Sequence, residues 1–295
     1  MVRNLHFFTN YRIRGRKVKN ISETKAQLTP EQKWEQATLA NNFIFYKVMR
    51  NHPDACQHLI EMLLNVKIEK MEMHNEEVMD IDHDSKAIRL DVYVKDTNKM
   101  YDIELQTTDT KELPERCRFY QSVMDLDSLK KGDFYKDLKD SYVIFICLED
   151  IFQKGLPVYT FENICREDCE TRLNDRTQKC FFIADLCAKM NKKEEVRSFF
   201  EFLISNRANS KYTKDLKEYV SDAKHNSQWR VQYMTWERQQ AYAFENGRIK
   251  GDQERAFEDA KSFYANGVSI ELIAKSLNMT IEQVQEIVRD VEITA

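Results

Sequence analysis

The sequence predicts an α/β protein whose core elements follow the order α-β-β-β-α-β and whose C-terminal region is entirely helical. Three patterns support this fold class. Two short stretches alternate apolar and polar residues, a later run is continuously apolar, and the chain beyond residue 190 shows helical periodicity with many charges. At 295 residues the chain is longer than one typical domain and can bury a sizeable core.

The N-terminal segment, residues 1–28, is basic and has no apolar periodicity. We expect a flexible arm there, which either adds contacts to phosphates or is a tail without a defined role. Thr29 and Gln32 then have the spacing of a capping box, and Pro30 occupies the first helical position. A folded domain is therefore predicted to span residues 29–190.

A β-hairpin is predicted from residues 89–94 and 101–106, which alternate apolar and polar side chains around a polar turn at 95–99. Each strand is expected to be half-buried, with its polar residues on one face. A helix and a strand-like stretch at 66–73 precede the hairpin. A helix at 113–131 and a buried strand at 142–148 follow it, which completes the core order.

Two carboxylates of this hairpin are predicted to face each other. If the hairpin folds symmetrically about Thr97 and Asn98, Asp91 lies directly opposite Glu104, and Gln106 shares their face. Cβ atoms of opposed residues are roughly 4.5–5.5 Å apart, where like charges repel unless a cation lies between them. Mg²⁺ or Mn²⁺ suits this set of hard oxygen ligands.

The opposed acids have a simpler alternative explanation. Carboxylates on a solvent-washed hairpin can both be hydrated without binding a metal ion. A register slip of one residue would also send one of the two acids to the other face of the sheet. The metal hypothesis therefore depends on the register of the hairpin and on the elements around it.

Seven stretches together resemble one known family. They are residues 41–45, 89–92, 103–106, 116–121, 129–135, 142–146 and 247–252. The chain resembles the PD-(D/E)XK nuclease superfamily, which has a restriction-endonuclease-like core, and within it the Rpn family of recombination-promoting nucleases and transposases. The resemblance covers most of the chain. At the third motif position, where the superfamily commonly has lysine, this sequence has Gln106, as in the Rpn pattern.

The resemblance implies Mg²⁺-dependent hydrolysis of phosphodiester bonds in DNA, with Mn²⁺ as a substitute. Asp91 and Glu104 would hold the metal ion. Gln106 cannot act as a base, but it could orient water or donate to a phosphate oxygen. The early helix of this family often carries an aspartate where this chain has Asn42, which offers an oxygen but no charge.

Arg116 and Tyr120 are candidates for contacts to phosphate, because they are four residues apart on one helix face. Arg118 lies elsewhere on that helix. The alternative for this pair is a surface ion pair beside an aromatic ring at the edge of the core.

The C-terminal region divides into a helical region or linker at 191–262 and a small helix-turn-helix-like module at 263–295. Within the first part, helices are predicted at Glu194–Ser205, Lys211–His225 and 228–265. The second helix of the module is acidic, which argues against strong docking to DNA and favours an interaction or packing role. Self-association through the helical region is the partner hypothesis for this half of the chain.

Composition sets the remaining expectations. The net charge is −4, so the molecule as a whole is not a nonspecific binder of nucleic acid. No run approaches the ~20 apolar residues that cross a bilayer, and the seven cysteines suit reduced thiols, so a cytoplasmic location without membrane association is predicted. The sequence thus predicts a metal-dependent DNA endonuclease. The alternative is a catalytically weak protein of nuclease fold that binds DNA or a partner protein.

Overall fold

The computed structural model describes residues 28–73, 92–108 and 110–291. Six strands form one sheet: β1 Glu72–Met73, β2 Val92–Lys95, β3 Lys99–Gln106, β4 Asp140–Cys147, β5 Val158–Phe161 and β6 Thr177–Ile183. The strand order is β1-β2-β3-β4-β6-β5. Strand β3 pairs antiparallel with β2 and parallel with β4, so the sheet is mixed.

Helices lie on both sides of this sheet and continue to residue 288. They are α1 Pro30–Gln36, α2 Asn42–Asn51, α3 Pro53–Leu64, α4 Leu113–Ser128, α5 Ala184–Met190, α6 Glu194–Ser205, α7 Lys211–His225, α8 Ser227–Ala265, α9 Ile270–Leu277 and α10 Ile281–Val288. The predicted α-β-β-β-α-β core and helical C-terminal region are confirmed.

The hairpin of β2 and β3 has the predicted register. Val92 pairs with Ile103 and Lys95 pairs with Met100, as expected for a turn centred on Thr97 and Asn98. Asp91 and residues 89–90, the start of the first predicted strand, lie outside the described residues, so the pairing of Asp91 with Glu104 stays a prediction. The predicted basic arm also lies outside the described part of the chain, apart from residue 28.

The prediction of a half-buried hairpin is wrong, because both of its faces are buried. The apolar face, which includes Val92 and Ile103, joins a core cluster with residues of α2, α3 and α6. The opposite face, with Tyr93 and Met100, joins a second cluster with residues of α4. A helix packed over the polar face excludes water there, which alternation along one strand cannot indicate.

The strand-like stretch at 66–73 forms only the short strand β1. Side chains hold its backbone in place of a ladder: the Ile68 amide donates to Glu61 Oε1 at 2.8 Å, and the Lys70 amide donates to Asp96 Oδ1 at 3.0 Å. Ile68 is buried in the core, so its apolar character reflects packing of an irregular segment.

Most predicted helix ends are confirmed. Thr29 and Gln32 form the expected capping box, and α6 and α7 have the predicted limits. Helix α4 ends at Ser128, three residues before the predicted end, because Leu129 is extended and Gly132 adopts a φ of 104°. A left-handed φ of this kind suits glycine and ends a helix.

The C-terminal helices form a small cluster of their own. Ile273, Ala274, Val284 and Val288 are buried together with Ala260 of α8. Ile281, at the first turn of α10, is 43 % exposed and is not part of this cluster. None of the described helices is long and apolar enough to span a bilayer.

Candidate active site

A row of polar side chains lies on the α4 side of strand β3. Asp102, Glu104 and Gln106 alternate with the apolar residues of the other face, and they are 0 %, 3 % and 8 % exposed. Glu104 pairs in the sheet with Phe145 of β4, and Gln106 pairs with Cys147. Three polar residues in a dry interior are costly unless they are hydrogen-bonded or paired with charge.

Arg116 is the residue that ties this row to helix α4. Its Nη2 lies 3.0 Å from Glu104 Oε2 in an ion pair, and its Nη1 donates to Gln106 Oε1 at 2.8 Å. Its Nη2 also donates to the Tyr120 hydroxyl oxygen at 2.9 Å. One guanidinium therefore fixes three side chains, and charge-assisted hydrogen bonds of this kind contribute about 1.5–3 kcal/mol each.

Helix α4 places Arg116 in its first turn, directly after the chain leaves β3. The guanidinium carbon lies 5.3 Å from the centre of the Phe145 ring and 5.4 Å from that of Tyr120. Two aromatic rings and two hydrogen-bond acceptors thus restrict its orientation. The predicted pairing of Arg116 with Tyr120 is confirmed, and Arg118 is exposed and outside this cluster.

The amide of Gln106 has a defined orientation. Its Nε2 donates to the backbone oxygen of Thr108, and its Oε1 accepts from Arg116. The side chain therefore presents its oxygen toward Arg116, and the second lone pair of this oxygen can accept from a water molecule or bind a metal ion.

Tyr120 remains a neutral hydroxyl in this site. Burial raises its pKa, and the negative charge of Glu104 adds to the increase, while Arg116 opposes it. Because its oxygen accepts from Arg116, its own proton is directed elsewhere and can serve as a donor. The alternative for Arg116 and Tyr120 is supported in part. Arg116 does form an ion pair, but with the buried carboxylate of Glu104, and the Tyr120 ring belongs to a core cluster.

Asp102 was not singled out from the sequence as a member of the site. The structure buries it completely on the same face as Glu104, beside the Cys117 thiol of α4. Burial raises the pKa of Cys117 to about 12, and the charge of Asp102 adds to this effect. Alternation had placed Asp102 on the polar face, and that was the available signal.

Asn42 lies at the start of α2, a helix that packs against β2 and β3. Its Oδ1 is buried and accepts no hydrogen bond from any described residue. Its neighbour Asn41 is the residue that caps the helix, by accepting from the Ile44 amide. Asn42 therefore contributes nothing to capping through its oxygen, which leaves this atom able to accept from water or to bind a cation.

The oxygen donors suit a hard divalent cation. On one face of β3, Glu104 supplies a carboxylate and Gln106 supplies an amide oxygen. Asn42, the predicted supporting oxygen donor, belongs to α2, whose buried residues pack against the apolar face of the hairpin. The described ranges contain no group of three or more His, Cys, Asp or Glu residues with metal-binding geometry. Asp91, the second predicted carboxylate, lies outside those ranges.

A mixed sheet flanked by helices, with a glutamate and a glutamine two residues apart on its central strand, defines a protein of nuclease fold. A model of the PD-(D/E)XK nuclease family transposase matches residues 41–260. The chain therefore belongs to this family, as the motif resemblance suggested. No curated protein and no solved structure matches the chain. Nucleases of this kind generally depend on divalent metal ions.

Proposed function

We propose that this protein is a metal-dependent endonuclease that hydrolyses phosphodiester bonds in DNA. The observation that carries the proposal is the buried group of Glu104, Gln106, Arg116 and Tyr120 on one face of β3, in a chain of the PD-(D/E)XK family. Such a group is expensive to bury, and an ordinary structural core has no need of it.

Glu104 and Asp91 would hold Mg²⁺, or Mn²⁺ in its place. The bound ion would polarise the phosphate and lower the pKa of a bound water molecule. Gln106 would orient water through its Oε1 atom. Its amide is not basic and cannot take up a proton at neutral pH. Gln106 therefore serves as a positioning residue for the attacking water.

Arg116 and Tyr120 would contact the phosphate that is cleaved. Arg116 is bound to the Glu104 carboxylate in this structure, so it already lies within one side-chain length of the proposed metal ligand. A phosphate group can offer two oxygens to the guanidinium, whereas Glu104 offers it one here. The neutral hydroxyl of Tyr120 would donate a second hydrogen bond to the same phosphate.

Supercoiled plasmid provides the test, with Mg²⁺, Mn²⁺ or chelator and with the Asp91→Ala and Glu104→Ala variants. We expect metal-dependent nicking or linearisation that both variants lose. Arg116→Ala should also lose it, whereas Arg118→Ala, which removes an exposed arginine of the same helix, should not. Absence of cleavage by the folded wild-type protein would contradict the proposal.

A catalytically weak protein that binds DNA or another protein is the second candidate. It is favoured by the ion pair that neutralises Glu104 and by Asn42, which brings no charge to the site. If this candidate holds, Asp91→Ala retains the full biological effect of the protein. A role in recombination, mobile-element movement or defence belongs to the first candidate and is lost with cleavage.

We also propose self-association through helix α8. Tyr242 and Ile249 lie seven residues apart on one side of it, and they are 65 % and 43 % exposed. A second copy of α8 would cover both side chains. Light scattering should show a mass above that of the monomer, and Ile249→Glu should return it to the monomer value.

A further inference from the structure

A polar and aromatic surface lies outside the candidate active site. It is the segment that joins α4 to β4, residues 129–139, which we name the aromatic loop. Phe134 is 68 % exposed and Tyr135 is 86 % exposed. The Tyr135 side chain makes no hydrogen bond or ring contact with any described residue. Exposure of two adjacent aromatic side chains adds nothing to the core and requires another explanation.

The backbone of the aromatic loop is held in place from within. Asp133 Oδ2 accepts from the Lys130 amide at 2.7 Å, and Asp137 Oδ2 accepts from the Phe134 amide at 3.1 Å. Residues Tyr135–Asp137 form a short 3₁₀ helix. The two aromatic rings therefore project from a preorganised backbone, which lowers the entropy cost of binding a partner.

The rest of the protein also anchors this loop. Arg176 Nη2 donates to the Lys136 backbone oxygen at 3.0 Å, and Lys139 Nζ donates to the Asp96 backbone oxygen at 2.9 Å. Both contacts lie where β3 and β4 begin, since Lys99 pairs there with Asp140. The loop is thus fixed to the edge of the sheet on which the strands start.

The charge of the aromatic loop is positive on its outer side. Lys130, Lys131 and Lys136 are all exposed, and Lys136 Nζ lies 5.1 Å from the centre of the Phe134 ring. Asp133 and Asp137 are exposed as well, and each accepts a hydrogen bond from a backbone amide. With Lys139, the loop carries four lysines against these two aspartates. Exposed lysines around exposed rings match a partner that combines negative charge with flat apolar faces.

We propose that the aromatic loop binds unpaired nucleotides of the DNA substrate, with bases stacked on Tyr135 and Phe134 and phosphates beside the lysines. This inference rests on the proposed function, because the bound strand would be the one that the Glu104 site cleaves. Bases in an intact duplex have both faces covered by neighbouring pairs. The loop therefore selects single-stranded or unwound segments over a regular duplex.

The position of the aromatic loop fits a strand that also reaches Glu104. Lys99 lies at the level where the aromatic loop joins the sheet, and Glu104 lies five residues further along β3. Five residues of a strand span roughly 17 Å. Helix α4 runs between the two places, since its first turn carries Arg116 and it ends at Ser128, just before the loop. Phe119 and Leu126 on its outer side are 40 % and 64 % exposed, so the intervening surface is open to a ligand.

Fluorescence anisotropy with labelled oligodeoxythymidine, in chelator so that no cleavage occurs, tests this proposal. A duplex of equal length is the reference. Tyr135→Ala and Phe134→Ala should each weaken binding of the single strand about fivefold or more. A loss of about fivefold corresponds to the weakest contribution expected from one base–aromatic stack. Tyr135→Phe should keep wild-type affinity, and Leu173→Ala, at an equally exposed side chain of another loop, should have no effect.

Salt dependence provides a second readout. Removing Lys130 and Lys131 by substitution with Gln should reduce the slope of log affinity against log salt by about 0.7 per lost phosphate contact. Circular dichroism melts confirm that each variant is folded, as expected for exposed positions.

Unchanged single-strand binding in the Tyr135→Ala, Phe134→Ala double variant would overturn the proposal. So would equal weakening for single strand and duplex, which indicates phosphate contacts without stacking, and so would capture of a protein partner with no affinity for DNA. Plasmid cleavage is measured separately. If the wild-type protein cleaves plasmid and the double variant still binds the single strand normally, only the role of the aromatic loop is refuted. If the variants lose single-strand binding but the wild-type protein does not cleave, only the nuclease is refuted.

Discussion

The two faces of strand β3 are equally dry but chemically opposite. On one face, Tyr101, Ile103 and Leu105 are 0–2 % exposed and pack among apolar residues. On the other face, Glu104 and Gln106 are 3 % and 8 % exposed and are held by hydrogen bonds from helix α4. The same eight-residue strand thus supports both a hydrophobic core and a polar site.

This difference separates a face that stabilises the fold from a face for which we propose a chemical role. Burial of an isoleucine on folding is favourable by about 1.5–3 kcal/mol. A buried carboxylate is unfavourable unless a partner such as Arg116 offsets its lost hydration, and even a paired ion often adds no net stability. Compared with apolar residues of similar volume, the polar face therefore adds little or no net stability, which agrees with a chemical role for it.

Substitution of Glu104 by Gln should have the largest effect on activity and a small effect on folding. We expect plasmid cleavage to fall by a factor of about 100 or more, because one metal-binding carboxylate is lost. The initial rate of nicking in Mg²⁺ measures this loss. Ile103→Val, one position away on the opposite face, is the control and should cleave at nearly the wild-type rate.

Substitution of Ile103 by Ala should have the opposite profile. Its side chain is completely buried, so we expect the free energy of unfolding to fall by about 2–5 kcal/mol through lost burial and a residual cavity. Urea denaturation followed by circular dichroism gives this value. If Ile103→Ala lowered the free energy of unfolding by less than Ile103→Val does, the apolar face would be loosely packed. The two faces would then not differ in the way described.

Removal of Arg116 should impair DNA cleavage and also lower the free energy of unfolding by an intermediate amount. Arg116→Gln keeps a hydrogen-bonding amide but loses the positive charge beside Glu104, so we expect a destabilisation of about 2 kcal/mol in the absence of metal ions. Urea denaturation in chelator checks the value, with Arg118→Gln as the exposed control. Equal stability of the two variants would show that Arg116 does not offset the buried charge.

The smallest expected difference between the two faces of the sheet is in the rate at which a cysteine thiol on each face is alkylated. Burial raises the pKa of Cys56, on the apolar side, and of Cys117, on the polar side, to about 12. Both thiols are therefore protonated at neutral pH, and their thiolate fraction grows only as the pH approaches that value. Alkylation followed by peptide mass spectrometry should find both protected while exposed Cys169 reacts. Faster labelling of Cys117 than of Cys56 would show that water enters the polar face.

Much of the candidate site could be predicted from the sequence, but its connections could not. Alternation along residues 101–106 placed Glu104 and Gln106 on one face, and helical spacing paired Arg116 with Tyr120. The bond from Arg116 to Gln106 required the end of β3 and the start of α4 to meet at a particular angle. Asp102 was overlooked because its complete burial depends on α4, which is ten or more residues away in the chain.

The sequence by itself determined the elements that depend on neighbouring residues. The register of the β2–β3 hairpin follows from a short turn, and the ends of α1, α6 and α7 follow from caps and periodicity within a few residues. Only the tertiary structure decided that both faces of β3 are buried, that Arg116 neutralises Glu104 and that Tyr135 remains exposed. Burial and charge pairing depend on which distant segments pack together, and that packing is a property of the whole chain.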